Sequence, residues 1–557
     1  MRRLFPVFTL CLAMAADTSD PVVERLRRDV QHLAGPELRG RGNGSEDLDK
    51  AAAYILEAHR RLGLKAEIQR VPFILRVERE RQSATLQGGT DPRHLQWGRD
   101  IEALPGSGSG TFTARPLVFA GLGLRTATRD DLAGLDLKGK VALVALRLPD
   151  LPAFASLGGR ERSLSNRAQA LIQAGAVAVL GIADGELPHG LAPGPSWTTA
   201  PAPLLAAPSR IFQEALPDLG GRIKKLGEGP QSCDLPAALD LDLQLKPVDG
   251  HLPNVIALIP GRDPSLAKEY VVLGAHLDHL GVRRPRGREG DAAVPHFGAD
   301  DNASGSALVL ELARRFTEER PRRSMLVMHF GGEEMGLVGS RYWMGHPTVD
   351  LSQVKFMANF DMVGRVPRER PRLRLLAPGV SLPQLARLAA LAPEGLTVVP
   401  DPAEFIYGGS DHQSFTGRGI PTSFFFTGLH KDYHRPTDTP EKLNLEGMSL
   451  LAGYAQRMLR QIADGTPPAF TPPVSLGLRG ERQLERGHKV GSVERGSVAD
   501  AAGLKPGDLI TGLGDLIIHN ATDFRQALGE LQAGDRVLIR WLRDGKDMEA
   551  MVVLRAR

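Results

Sequence analysis

Two adjacent carboxylates, Glu333 and Glu334, stand just past a short apolar run, Met325 to Phe330, that ends at Gly331-Gly332. The run follows the charged breaker Glu319-Arg320-Pro321-Arg322-Arg323, so it reads as a buried strand emptying into a tight turn. Like charges at short range raise each other's pKa. A cation resolves the cost: one carboxylate can hold a metal while the other handles protons.

Partners of suitable type are spread along the same half of the chain. In GAHLDHL, His276 and Asp278 follow the apolar run YVVLGA. At strand spacing they point to one side and His279 to the other, which makes His279 structural. A histidine ligand backed by a carboxylate is a usual arrangement on zinc. In GADDNASG, Asp300 and Asp301 precede a helical pattern, and NFDMVG places Asp361 at a strand end. His434 lies in the proline-bounded loop DYHRPTDTPEKL, with Tyr433 beside it. Nitrogen and carboxylate donors together suit Zn²⁺ with open coordination positions. His329, inside the apolar run, reads as core.

These residues must be carried by separate strands. NVIALIPG, YVVLGAHLD, SMLVMHFGGEE, VKFMANFDMVG, LRLLAP and PTSFFFTG are strand-like, and helical patterns at 304–316 and 382–391 fall between them. Alternating β and α predicts a doubly wound α/β sheet, whose sites lie at the carboxyl ends of its strands. A helix over 443–462 closes the unit, and a proline-rich linker follows at 466–473. Upstream, two amphipathic helices are expected from Val22 to Leu33 and from Asp47 to Leu64. One or two strands over 65–80 are interrupted by Pro72. The glycine- and serine-rich stretch at 105–110 reads as a joint. Beyond it, 105–240 holds short strands (PLVFAG, KGKVALVALR, AGAVAVLGI, APLLAA) and no cluster of reactive residues. The last segment, 474–557, reads as strand, turn, short helix, two strands and a helix capped by Thr522 or Asp523, then a hairpin turning at Asp544-Gly545.

Composition bounds the function. The 557 residues are 42% hydrophobic and 24% charged with a net charge of +4, too little for a nucleic-acid footprint. Arg2-Arg3, the apolar Leu4–Leu12 and Ala13-Met14-Ala15 form a signal-peptide pattern over 1–15, so the chain is expected to be exported to the periplasm or beyond the cell. Cleavage would leave Cys233 as the lone cysteine, with no internal disulfide. No stretch is long enough for a stable membrane span.

GAHLD, GADDNASG, GGEEMGLVGS, NFDMVG and YHRPTDTPEKL occur in the order seen in the secreted co-catalytic dizinc aminopeptidases of bacteria, and HLAGPELRGRGNGS resembles their N-terminal segment. DLKGKVALV with AGAVAVLGI resembles a protease-associated domain, and SVADAAGLKPGDLI resembles a PDZ domain. The resemblance implies a zinc-exopeptidase domain in two parts, 20–104 and 241–465, with a β-rich protease-associated domain inserted at 105–240 and a C-terminal PDZ domain at 474–557. It implies two Zn²⁺ ions, one on His276 and Asp361, the other on Glu334 and His434, bridged by Asp301. Asp301-Asn302 would be a cis peptide. Glu333 would be the general base, Asp278 would orient His276, and Tyr433 would steady the tetrahedral intermediate. Asp411 and His412 would line the pocket or hold the structure.

The activity implied is removal of N-terminal residues from peptides by metal-activated water. Partners would be peptides with a free N-terminus and a C-terminal peptide on the PDZ domain. Two other enzymes share such a fold. Glutaminyl cyclases use one zinc, which the full five-ligand set argues against. A carboxypeptidase needs a basic residue for the substrate carboxylate, and arginines are plentiful here. A non-catalytic receptor-like protein would have lost ligands, and none is missing.

Overall fold

The structure is a computed structural model. It describes residues 20–556 apart from 89–90, 127–128, 149–153, 155–161, 184–186, 188–199, 213–216, 284–291, 402–408, 473 and 481–486. The segment 1–15, expected to be a signal peptide, lies outside the described residues.

Helix α1 (Pro21–Leu33) starts at Asp20, whose carboxylate accepts the Val22 amide at 2.9 Å. It buries Val23, Leu26, Val30 and Leu33. Helix α2 (Glu46–Arg61) is capped by Ser45 and packs Leu48, Ala51, Ala52 and Ile55 into the same core. Strand β1 (Lys65–Gln87) then runs unbroken through Pro72, where sequence reading expects an interruption. It pairs antiparallel with residues 238–258 along nearly its whole length, and among the described residues no second strand pairs with it at Pro72, an edge placement that tolerates proline.

Strands β2 (Gly110–Phe119), β3 (Val141–Ala145), β4 (Ala178–Ala183) and β5 (Leu204–Pro208) form a parallel run from β2 to β5. Strand β6 (Cys233–Ile259) joins both halves of the molecule. Its first part pairs with β2 and its last part, Val255–Ile259, with β8 (Ser324–Phe330). The segment 105–110, expected as a joint, is bonded into the β2–β5 unit instead. The Ser107 amide reaches the Leu104 carbonyl at 3.0 Å, and the Ser107 hydroxyl accepts the Leu204 amide at 2.9 Å. One core of this unit draws on residues from Ala84 to Leu243.

The site-bearing half holds β7 (Tyr270–His276), helix α3 (Gly305–Glu318), β8, β9 (Val354–Phe360), β10 (Arg372–Leu376), β11 (Thr397–Asp401), β12 (Thr422–Phe426) and helix α4 (Leu445–Asp464). Along the sheet the order is β11-β10-β12-β9-β7-β8-β6-β2-β3-β4-β5. Strands β12, β9, β7 and β8 are parallel, in register Phe425↔Phe360, Asn359↔Gly274 and His276↔Phe330. Their carboxyl ends therefore share one edge, and α1, α3 and α4 cover one face through Leu308, Leu312, Phe316, Met448 and Leu459.

The C-terminal unit has its own core around Val490, Ile510, Ile539 and Trp541. Its strands are β13 (Leu478–Gly480), β14 (His488–Val493), β15 (Leu509–Leu513), β16 (Arg536–Arg543) and β17 (Lys546–Val553). The β16–β17 turn falls at Asp544-Gly545, both with positive φ, as the sequence requires. The helix at Ala521–Gly529 is capped by Asn520, whose side chain accepts the Asp523 amide at 3.0 Å. The expected caps Thr522 and Asp523 lie inside it; Asp523 takes the His519 amide instead. Among the described residues no helix is long and apolar enough to cross a membrane.

Candidate metal centre

Strand β7 ends at His276, so its alternation stops there. The chain turns, Gly42 bridges to His279, and His279 swings toward the other acids. His279 Nδ1 lies 2.8 Å from Glu334 Oε1 and 3.7 Å from Asp301 Oδ2. The structural role expected of His279 from strict alternation is thus corrected: its ring belongs to the site.

The His276 ring donates from Nδ1 to the Asp278 backbone carbonyl at 3.0 Å, and the Asp278 carboxylate is farther, at 3.7 Å. That carboxylate instead accepts the amides of Glu333 (3.1 Å) and Glu334 (3.2 Å) and the Asn43 side chain (2.7 Å). So Asp278 orients His276 through its main chain and fixes the two-glutamate turn through its side chain. Gly332, at φ 79°, makes that turn feasible where a Cβ would meet Leu252 and Val338.

The loop before α3 settles which aspartate faces the histidines. The Asp300 carboxylate takes the Gly364 amide at 2.7 Å, the Ser304 hydroxyl at 3.2 Å and His430 Nε2 at 3.1 Å. Asp301 points the other way. Its Oδ1 lies 3.2 Å from His276 Nε2, and its Oδ2 lies 3.2 Å from His434 Nε2. The Asp301-Asn302 peptide is cis. Asn302 bonds the Phe360 carbonyl at 2.9 Å, which sets this loop beside Asp361 at the end of β9. Asp361 Oδ1 is 3.4 Å from His276 Nε2, and Glu334 Oε2 is 3.2 Å from His434 Nε2.

Two donor groups result, His276 with Asp301 and Asp361, and Asp301 with Glu334 and a histidine. In the first, and in the second with His279, the donor atoms lie within 4.8 Å of one another. His276 Nε2 is buried and makes no hydrogen bond although two carboxylates face it. A buried lone pair aimed at acid oxygens fits a divalent ion, and the nitrogen and carboxylate donors fit zinc.

Electrostatics agree. Burial opposes charge on Asp301, yet His279, His276 and His434 hold its carboxylate well below the ordinary value. Burial and Asp301 push Glu334 up, but its hydrogen bonds to His279 and His434 win and leave it at about 2. Burial disfavours the charged His434, while Asp301 and Glu334 raise it to about 9. Glu333 differs from its neighbour. Desolvation, and then Asp361, Asp411 and Glu334, raise it well above the ordinary carboxylate range, against the pull of His276.

Tyr433 is 37% exposed and stacks on His434 with ring centroids 3.8 Å apart. Asp411 and His412 are buried, and His412 stacks on Phe424. Asp438 was not anticipated as a site residue. Its Oδ2 takes the amides of Asp300 (2.8 Å) and Asp301 (3.1 Å), and its Oδ1 takes Arg365 at 3.0 Å. The signal lay in the same DYHRPTDTPEKL loop, four residues after His434.

A doubly wound sheet that gathers nitrogen and carboxylate donors at the ends of its parallel strands is suited to hold metal there. Residues 254–456 match the model of Peptidase family M28, and residues 474–554 match that of the PDZ domain. The chain is 31% identical over 207 residues to a probable leucine aminopeptidase of Trichophyton verrucosum, a match covering 35% of this chain and 53% of the relative. It is 29% identical over 196 residues to leupeptin-inactivating enzyme 1 of Streptomyces exfoliatus, covering 34% and 38%. The chain thus spans about half the length, or less, of these relatives. An aminopeptidase structure from Aneurinibacillus sp. strain AM-1 shares the fold, with a TM-score of 0.53 at 24% identity over 81% of this chain and 96% of that one.

Proposed function

We propose that this chain is an exported, zinc-dependent aminopeptidase that holds two Zn²⁺ ions and removes N-terminal residues from peptides. The observation that carries the reading is Asp301, whose two oxygens face His276 and His434 separately at 3.2 Å each. A carboxylate so placed is suited to bridge two ions, one completed by Asp361 and the other by Glu334. Zinc held by these residues would supply activation of a water and polarisation of the carbonyl.

The protein residues have distinct tasks. Glu334 and Asp301 stay ionised and hold charge in place. Glu333, whose proton affinity is raised by burial and neighbouring acids, collects a proton from the attacking water as a carboxylate and delivers it to the leaving amine. Asp278 fixes Glu333 by accepting its amide. Tyr433, partly exposed above His434, offers its hydroxyl to the oxyanion. The acid excess around the site suits a substrate with a free α-amine. The second unit around Ala84–Leu243 is read as a protease-associated lid, and the PDZ unit as a module for a C-terminal peptide. Among the described residues strand β13 is paired on one side only, by β14, and its other edge is suited to strand addition.

The test is a peptide pair that differs only in N-terminal acetylation, assayed with zinc-loaded protein. Release of the first residue from the free peptide alone is expected. Cleavage from the carboxyl end, or cyclisation of an N-terminal glutamine without hydrolysis, would replace the reading with one of its alternatives.

A further inference from the structure

The glycine-rich turn between α1 and α2 carries a fully buried arginine. Arg41 is 1% exposed. Its Nε donates to the Leu277 carbonyl at 2.9 Å, Nη2 to Gly298 at 2.9 Å, and Nη1 to Phe297 at 2.8 Å and to Leu33 at 2.5 Å. Leu277 directly follows His276, and Gly298 opens the loop that leads to Asp301. The Arg41 carbonyl accepts the His279 amide at 3.2 Å, and Asn43, two residues on, holds Asp278. One side chain thus joins the end of α1 to both loops that carry donors of the candidate metal centre.

The charge matters as much as the reach. The four hydrogen bonds of the Arg41 guanidinium go to backbone carbonyls. Burial lowers its pKa to about 10, and the charges of Asp301, Asp278, Asp438 and Glu334 work against that. It therefore stays cationic at neutral pH. Arg41 itself sits at φ 53°, and Gly40 and Gly42 let the backbone pass within contact of His296 and Gly281. An arginine is suited here because its planar fork spreads donors over three nitrogens and reaches four carbonyls, whereas a lysine holds three donors on a single atom.

We propose that Arg41 is a positioning residue of the metal centre: it locks the His276 loop to the Asp301 loop and offsets the negative charge of the ligand set before any ion binds. The inference rests on the two-zinc reading above. The Arg41 guanidinium bonds backbone carbonyls and not the donor atoms of the centre, so its effect should appear in how tightly the ions are held.

The experiment measures zinc affinity by chelator competition, together with thermal melting of the zinc-free protein, for wild type and Arg41→Lys. A loss of about 10–100-fold in zinc affinity is expected, the range for residues that orient metal ligands. Zinc affinity within about twofold of wild type, with only a lower melting temperature, overturns the proposal and leaves Arg41 a folding residue. A wild type that binds no zinc overturns the functional reading instead, so the two failures are separable. If Arg41→Lys does not fold, hydrogen exchange on the unaltered protein decides. Zinc should slow exchange at 39–43 as well as at 276–279, and unchanged exchange at 39–43 overturns the proposal.

Discussion

Glu333 and Glu334 are neighbours in sequence with opposite electrostatic settings. Glu334 hydrogen-bonds His279 and faces His434, and both favour its ionised form. Glu333 sits among Asp361, Asp411 and Glu334, which favour its protonated form. A ligand and a proton carrier need that contrast. Glu333→Gln should keep both zinc ions and lose about 10²–10⁴ in rate, mostly in kcat. Glu334→Gln should lose zinc affinity, and activity with it. Metal analysis and steady-state kinetics on both variants check this, and metal loss in Glu333→Gln alone would reverse the roles. Protons should also compete with zinc. Without an ion His434 titrates at about 9, raised by Asp301 and Glu334, and a ligand histidine must be neutral. Zinc affinity should therefore rise with pH up to about 9, and calorimetry in buffers of different ionisation enthalpy should show proton release on binding at pH 7.

At the scale of elements, the donors are placed by strand ends and held by loop-to-loop latches. The strand ends were legible in the sequence, because apolar runs followed by acid or histidine mark the carboxyl ends of buried parallel strands. His276, Asp301, Glu333, Glu334, Asp361 and His434 all meet there. What sequence did not reveal follows from where a strand stops. Alternation carried past His276 turned His279 the wrong way, since the chain leaves β7 at that residue. Latches such as Asp438 on the amides of Asp300 and Asp301 join segments more than 130 residues apart, and no local pattern records them. Asp438→Ala should free the loop that carries His434 and lower zinc affinity without touching an ion, measurable by the same chelator competition. A second consequence concerns acid. His59 on α2 and His329 on β8 are buried with their Nε2 atoms 3.3 Å apart. Burial lowers His59 to about 4 and holds His329 well below its ordinary value. Both are then neutral when folded, and the unfolded chain takes up protons first as pH falls through about 6.5. Stability from these groups is complete above that pH and declines below it. The zinc-free protein should lose melting temperature between pH 7 and 5, and His59→Leu should lose less over the same range.

Over the whole molecule, the long strands β1 and β6 make the two α/β units continuous, whereas the PDZ unit is attached differently. It follows a linker whose docking is local: the Thr471 amide bonds the Gly379 carbonyl at 2.9 Å, and Phe470 packs where a Cβ on Gly379 would sit. Gly379 lies just past β10, which runs antiparallel to β12. It therefore sits at the opposite end of the sheet from His276, Asp361 and Glu334. A unit with its own core, tethered at the far end of the sheet, is not expected to supply a residue to hydrolysis of a small substrate. A chain ending after Pro472 keeps Phe470 and Thr471 in place. It should cleave small aminoacyl substrates with kcat/KM within about twofold of the full chain, since that step needs only the metal domain. Proteins or long peptides with a C-terminus that fits the β13 edge should be cleaved more slowly by the shortened chain, because tethering raises their local concentration. Kinetics on one small and one long substrate separate the outcomes. A large loss on the small substrate would mean that the PDZ unit completes the active site, against the placement of its tether.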